Sequence, residues 1–126
     1  MKVLIISDDE PGIKDIVFCL QVRYPDVEIL TFDDDRSGID RLKSEPQDLV
    51  ILDSTLPKSS AISVIEQIRG FSDIAIMVLA VDGPYIERAM EMVVGSDDYI
   101  IKPIIPLQFL VKVKTLVGAS KEPIKT

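Results

Sequence analysis

Five stretches of the chain are apolar at nearly every position, and segments with helical spacing lie between them. Val3-Leu4-Ile5-Ile6 is the first. A run that is apolar throughout predicts a strand buried on both faces. Ile13, Ile16, Val17 and Leu20 then recur at the spacing of one helix face. Pro11 suits the first turn of that helix, with an acidic residue before it as cap, and Tyr24-Pro25-Asp26 stops it. Val27 to Phe32 predicts a second strand, with Val27, Ile29 and Thr31 alternating against Glu28 and Leu30. Exposure on one side fits an edge strand. Asp33-Asp34-Asp35 leads into a short helix carrying Ile39 and Leu42, and reads as a solvated helix N-terminus. Asp48 to Asp53 is the third strand, and Ile62, Ile65 and Ile68 mark a helix closed by Gly70. Ile74 to Ala80 is the fourth strand. Asp82-Gly83-Pro84 is turn and helix-start chemistry for a helix ending near Val94 and Gly95. Tyr99-Ile100-Ile101 is the fifth strand, stopped by Lys102-Pro103. A last helix carries Leu107, Leu110, Val111 and Val117.

Strand and helix alternate five times, which predicts an α/β, doubly wound (βα)5 sandwich with a parallel sheet covered on both faces. Five strands suggest the flavodoxin-like order 2-1-3-4-5, with the site at the C-terminal ends of strands 1 and 3. Residues 1–119 form one domain, and 120–126 are a polar tail or the start of a linker.

Composition narrows the function. Of 126 residues, 47% are hydrophobic and 28% charged, as in a soluble globular protein. The net charge of −7, from 21 acidic and 14 basic residues, disfavours direct nucleic-acid binding and suits a cation site or a basic partner surface. There is no histidine, so acid–base chemistry by an imidazole of this chain is excluded. The single cysteine, Cys19, falls in an apolar helical pattern and reads as a small core residue. No apolar run reaches membrane-spanning length, and the run after Lys2 is too short for a signal peptide. The expected location is cytoplasmic.

The strand ends carry the candidate chemistry. Strand 1 ends at Asp8-Asp9, strand 3 at Asp53, strand 4 at Ala80-Val81-Asp82 and strand 5 at Lys102-Pro103. In the expected fold these meet on one rim. Carboxylates gathered there repel one another unless a cation sits among them. Magnesium is the natural candidate, because it takes oxygen ligands and completes its shell with water and phosphate oxygens. Asp53 can then act as nucleophile toward phosphorus, with Lys102 supplying positive charge to the phosphoryl oxygens.

Asp8-Asp9-Glu10, Asp53 with Leu56-Pro57, and the block from Gly95 to Pro103 together resemble the receiver domain of two-component response regulators, most closely those preceding a winged-helix DNA-binding domain. The resemblance covers essentially the whole chain. It implies that Asp53 accepts a phosphoryl group from a partner histidine kinase or phosphotransfer protein. It implies Asp9 as a direct magnesium ligand, Asp8 as one through water, Thr55 as a ligand through its backbone carbonyl, and Lys102 as a contact to the phosphoryl oxygens.

The chain departs from the family pattern at Ala80, at Ala61 and at Asp82, and the first of these bears on the switch. Ala80 stands where the family has threonine or serine, so no hydroxyl is available to draw the following loop inward, although Tyr99 matches the aromatic that moves with it. Ala61 replaces a usual glycine. Lys112 and Lys114 stand where related receivers pair with acids of a second subunit, here Asp97 or Asp98, which implies a homodimer through the fourth helix, the fifth strand and the last helix. The alternative is an interaction module that signals without phosphorylation. An aspartyl phosphatase of the haloacid-dehalogenase type is disfavoured by Thr55, two residues after Asp53. A flavin-binding protein is disfavoured because no hydroxyl-rich loop follows strand 1.

Overall fold

The computed structural model describes residues 1–55, 61–81 and 95–121, with side chains described to residue 118. The expected Leu56-Pro57 segment, Asp82 with its turn, and the helix ending near Val94 lie outside the described residues. Five strands form one parallel sheet in the order β2-β1-β3-β4-β5. They are β1 (Lys2–Ile6), β2 (Glu28–Phe32), β3 (Leu49–Asp53), β4 (Ala75–Ala80) and β5 (Asp98–Ile101). The helices are α1 (Glu10–Arg23), α2 (Asp35–Ser44), α3 (Ala61–Arg69) and α4 (Pro106–Lys121).

Successive residues of a strand point to opposite faces, so each inner strand feeds two cores. Val3, Ile5, Leu49, Ile51, Met77, Leu79 and Ile100 pack with Ile16, Cys19 and Leu20 of α1 and Phe109 and Val113 of α4. Leu4, Ile6, Val50, Leu52, Ile76 and Val78 pack with Ile39 and Leu42 of α2 and Val64, Ile65 and Ile68 of α3. This is why β3 and β4 are buried at every position. The edge strand β2 is only partly buried; Val27 and Ile29 are sheltered and Glu28 exposed as expected, but Leu30 is sheltered and Thr31 exposed, which reverses the expected alternation at that pair.

The phase of two helices also differs from expectation. In α3, Ile62 is 40% exposed and Val64 takes its core position. In α4, Leu107 and Val111 are 75% and 56% exposed, while Phe109 and Val113 are fully buried. Apolar residues occupy more than one side of α4, so spacing alone left its inward face undetermined.

Arg69 fixes the approach to β5. Its guanidinium donates to the Gly95 carbonyl at 2.8 Å, to the Ser72 and Ile74 carbonyls at 3.1 and 2.6 Å, and to Asp97 at 2.9 Å. Gly95 has φ +138°, a conformation that side-chain-bearing residues rarely adopt. The turn so held sets the register in which β5 delivers Lys102.

Candidate functional site

Strand alternation carries Ser7, Asp53 and Lys102 onto the sheet face shared by α1 and α4, one step beyond Ile5, Ile51 and Ile100. Asp53 closes β3 opposite Leu79 and is 1% exposed. A buried carboxylate persists as an ion only when its oxygens are hydrogen-bonded and its charge is met. Both conditions hold. Oδ1 accepts from the Thr55 amide at 3.0 Å and the Thr55 hydroxyl at 2.7 Å. Oδ2 accepts from the Ser7 hydroxyl at 2.7 Å and from Lys102 Nζ at 2.6 Å.

Lys102 is held just as closely. Its backbone amide donates to the Ala80 carbonyl at 2.7 Å, which anchors the residue beyond the end of β5. Its Nζ bridges Asp53 and Asp9, the latter at 3.1 Å. Asp9 has two tasks, since Oδ1 also accepts from the Gly12 amide at 3.3 Å as the N-cap of α1. A Cβ on residue 12 would lie 2.4 Å from Asp9 Oδ2, so the carboxylate needs the glycine.

Burial alone would raise the Asp53 pKa, but the bonds from Lys102, Ser7 and Thr55 outweigh it and hold the carboxyl below its ordinary value. Burial would likewise lower Lys102, yet its bonds to Asp53 and Asp9 and their charges raise it. A carboxyl whose pKa is lower folded than unfolded contributes stability above the unfolded pKa and loses it as pH falls through the folded one. Urea midpoints are therefore expected to drop as pH falls below 3.8, with a shallower drop in Asp53→Asn. Lys102 acts in the opposite sense: its contribution is complete below 10.5 and fades as pH rises through the raised value.

The other expected residues fall as follows. Asp8 is exposed and lines an open cleft of about 500 Å3 with Ser7, Glu10, Asp33 and Asp34. Asp34 also caps α2, accepting from the Ser37 amide and hydroxyl, as a solvated helix start requires. Asp9 and Lys102 line a second cleft of about 300 Å3. Among the described residues no three acidic or cysteine side chains gather into a metal cage. Asp9 and Asp53, however, converge on the same ammonium, and two carboxylates completed by water and phosphate oxygens are what magnesium uses. The donor set therefore fits that ion.

Ala80 is fully buried and presents no hydroxyl. It and Tyr99 belong to the opposite strand phase from Asp53, and Tyr99 packs with the α2–α3 core. Lys112 donates to Asp98 of its own chain at 2.9 Å, and Asp97 is taken by Arg69, so both acids expected to meet a second subunit are paired internally. Cys19 is buried, and burial and Asp15 raise its pKa. No helix among the described residues is long and apolar enough to cross a membrane. The functional neighbours that sequence reasoning missed are Ser7 and Gly12. Their signals were a small polar residue continuing the inward phase of β1, and a glycine in the first turn of a helix, where it is intrinsically unfavourable.

Residues 3–114 match the family model described as the response regulator receiver domain. A probable transcriptional regulator, ycf27, from Galdieria sulphuraria is 34% identical over 113 residues, 88% of this chain and 43% of the relative. The chain thus spans about half the length of the curated relatives it matches, or less. Among solved structures, a two-component response regulator from Clostridium difficile superposes with a TM-score of 0.83 at 22% identity, covering 97% of this chain and 99% of that one. The receiver domain of a sensor histidine kinase from Pseudomonas aeruginosa, described with a magnesium ion in its active-site cleft, superposes with a TM-score of 0.80 at 18% identity, covering 93% and 97%.

Proposed function

Since the chain belongs to the response regulator receiver domain family, we propose that it accepts a phosphoryl group on Asp53 from a partner histidine kinase or phosphotransfer protein, in a magnesium-dependent reaction, and then changes the face it offers to partners. The observation that carries this is the ionised, buried Asp53 with Lys102 bridging it to Asp9. A lone pair of the carboxylate forms the new P–O bond as the donor's P–N bond breaks, and the displaced electron pair stays with the donor imidazole. Lys102 meets the charge on the phosphoryl oxygens. Asp9, Asp53 and the Thr55 carbonyl would hold magnesium directly, with Asp8 acting through water. When bound, the ion would neutralise phosphoryl charge. The chain is then a signalling acceptor rather than an enzyme acting on a separate substrate. The curated relatives are transcriptional regulators, which supports an output in transcription control. A homodimer through β5 and α4 would require Lys112 and Asp98 to exchange their internal bond for one across the interface.

The test is incubation with a small phosphodonor with and without magnesium. Uptake of one phosphoryl group with magnesium and none with a chelator is expected; a wild-type protein that never labels rejects the proposal.

Ala80 favours a second reading, in which the fold serves as an interaction module independent of phosphorylation. A hydrogen bond to a charged group contributes roughly 1.5–3 kcal/mol, comparable with the gap between the two states of a switch. Ala80→Thr is therefore expected to enlarge the phosphorylation-dependent change in Tyr99 fluorescence. A wild type that labels with no change in Tyr99 or oligomer size, unaltered by Ala80→Thr, supports the second reading.

A further inference from the structure

Ser7 is a hydroxyl in a place where the strand otherwise buries only apolar side chains. It is 2% exposed, and its Oγ is 2.7 Å from Asp53 Oδ2. The Asp9 amide donates to the same Oγ at 3.1 Å. That bond occupies an acceptor site of the hydroxyl and leaves its proton directed at Asp53. The two oxygens of Asp53 are thereby distinguished. Both donors to Oδ2, Ser7 and Lys102, are sheltered, whereas the hydroxyl on Oδ1 belongs to the exposed Thr55 and can swing away. With that hydroxyl turned away Oδ1 keeps only the Thr55 amide, at 3.0 Å, so it is the less covered oxygen toward an incoming phosphorus, and Oδ2, with two sheltered donors, is the one that remains as carbonyl.

We infer that Ser7 is a positioning residue that holds Oδ2 and shortens the lifetime of the phosphoryl group on Asp53. The inference rests on the reading of Asp53 as phosphoacceptor. When the acyl phosphate is hydrolysed, the P–Oδ1 bond breaks and its electron pair returns to the carboxylate. Water oxygen forms the new bond to phosphorus and gives up a proton to solvent, leaving Asp53 ionised and inorganic phosphate. Negative charge grows on both carboxylate oxygens during that step. A hydrogen bond to a carboxylate is roughly twice as strong as one to a neutral carbonyl. The Ser7 hydroxyl therefore stabilises the departing carboxylate more than the acyl phosphate it leaves.

The experiment is to label wild type, Ser7→Ala, Ser7→Val and Ser7→Thr with acetyl phosphate and magnesium, remove the donor, and follow the loss of the phosphoryl group. Threonine and valine differ at this site only in the hydroxyl, so packing changes affect both alike. Removing the hydroxyl is expected to lengthen the lifetime about fivefold, the factor that corresponds to the differential strength of one hydrogen bond. Ser7→Thr should decay like wild type, and Ser7→Val like Ser7→Ala. Equal lifetimes in the Thr and Val variants overturn the inference while leaving Asp53 as acceptor. If wild type itself does not label, the reading beneath it is lost as well. Should Ser7→Ala fail to fold, the Thr and Val pair decides alone.

Discussion

Asp53→Asn is expected to take up no phosphoryl group under conditions that label the wild type fully. The amide has no anionic oxygen to attack phosphorus, and nothing else in the described rim is both buried and presented by four donors. Asparagine keeps the size of the side chain, so the sheet should remain intact by circular dichroism. The amide nitrogen must face either the Ser7–Lys102 side or the Thr55 side; a hydroxyl can turn to accept from it, but the Lys102 ammonium or the Thr55 backbone amide then loses its acceptor. Leaving buried polar groups unpaired costs about 1–3 kcal/mol, which should appear as a lower urea midpoint at neutral pH. Full labelling of Asp53→Asn would place the acceptor elsewhere.

Lys102→Ala is expected to damage both stability and reaction. Its Nζ is the cation that meets Asp9 and Asp53 together, and the Asp53 side chain has no exposure of its own. Without the ammonium, a buried carboxylate retains only the Ser7 and Thr55 donors. Removing one partner of a buried pair destabilises by about 3–5 kcal/mol, and the surviving hydroxyls should hold the cost near about 3 kcal/mol. Magnesium, as an alternative cation between the same carboxylates, should restore part of that loss. Labelling should slow by about 100-fold, the effect of removing one donor aimed at developing charge. A variant that labels at the wild-type rate would mean that Lys102 is a structural cation only.

The fold and the meeting of Asp53, Asp9 and Lys102 at the candidate site were legible in the chain because of how parallel sheets are buried. Strands covered on both faces must be apolar at every position, so Val3–Ile6 and Leu49–Leu52 announced themselves, and the acids after them, Asp8-Asp9 and Asp53, marked the rim. Asp53 and Lys102 followed from that. Ser7 did not, because a small polar residue before two acids looks like the start of a loop. Only its phase with Val3 and Ile5 gave it away. The inward face of α4 was hidden for the opposite reason: Leu107 and Val111 are as apolar as Phe109, and the exposed pair carries no local mark. Charge pairing was equally ambiguous. Lys112 and Asp98 can meet within one chain or between two, and their separation along the sequence does not choose; the fold brings them together at 2.9 Å within one chain.

The central claim is that Asp53 forms an acyl phosphate, and its most direct test is chemical trapping of that bond. Wild-type protein would be incubated with acetyl phosphate and magnesium and then reduced with borohydride, which converts an aspartyl phosphate to homoserine, before peptide mass spectrometry. Homoserine at position 53, absent when magnesium is chelated, is the predicted result. No homoserine at all, or homoserine at Asp8, Asp9 or another acid while position 53 stays aspartate, would contradict the account.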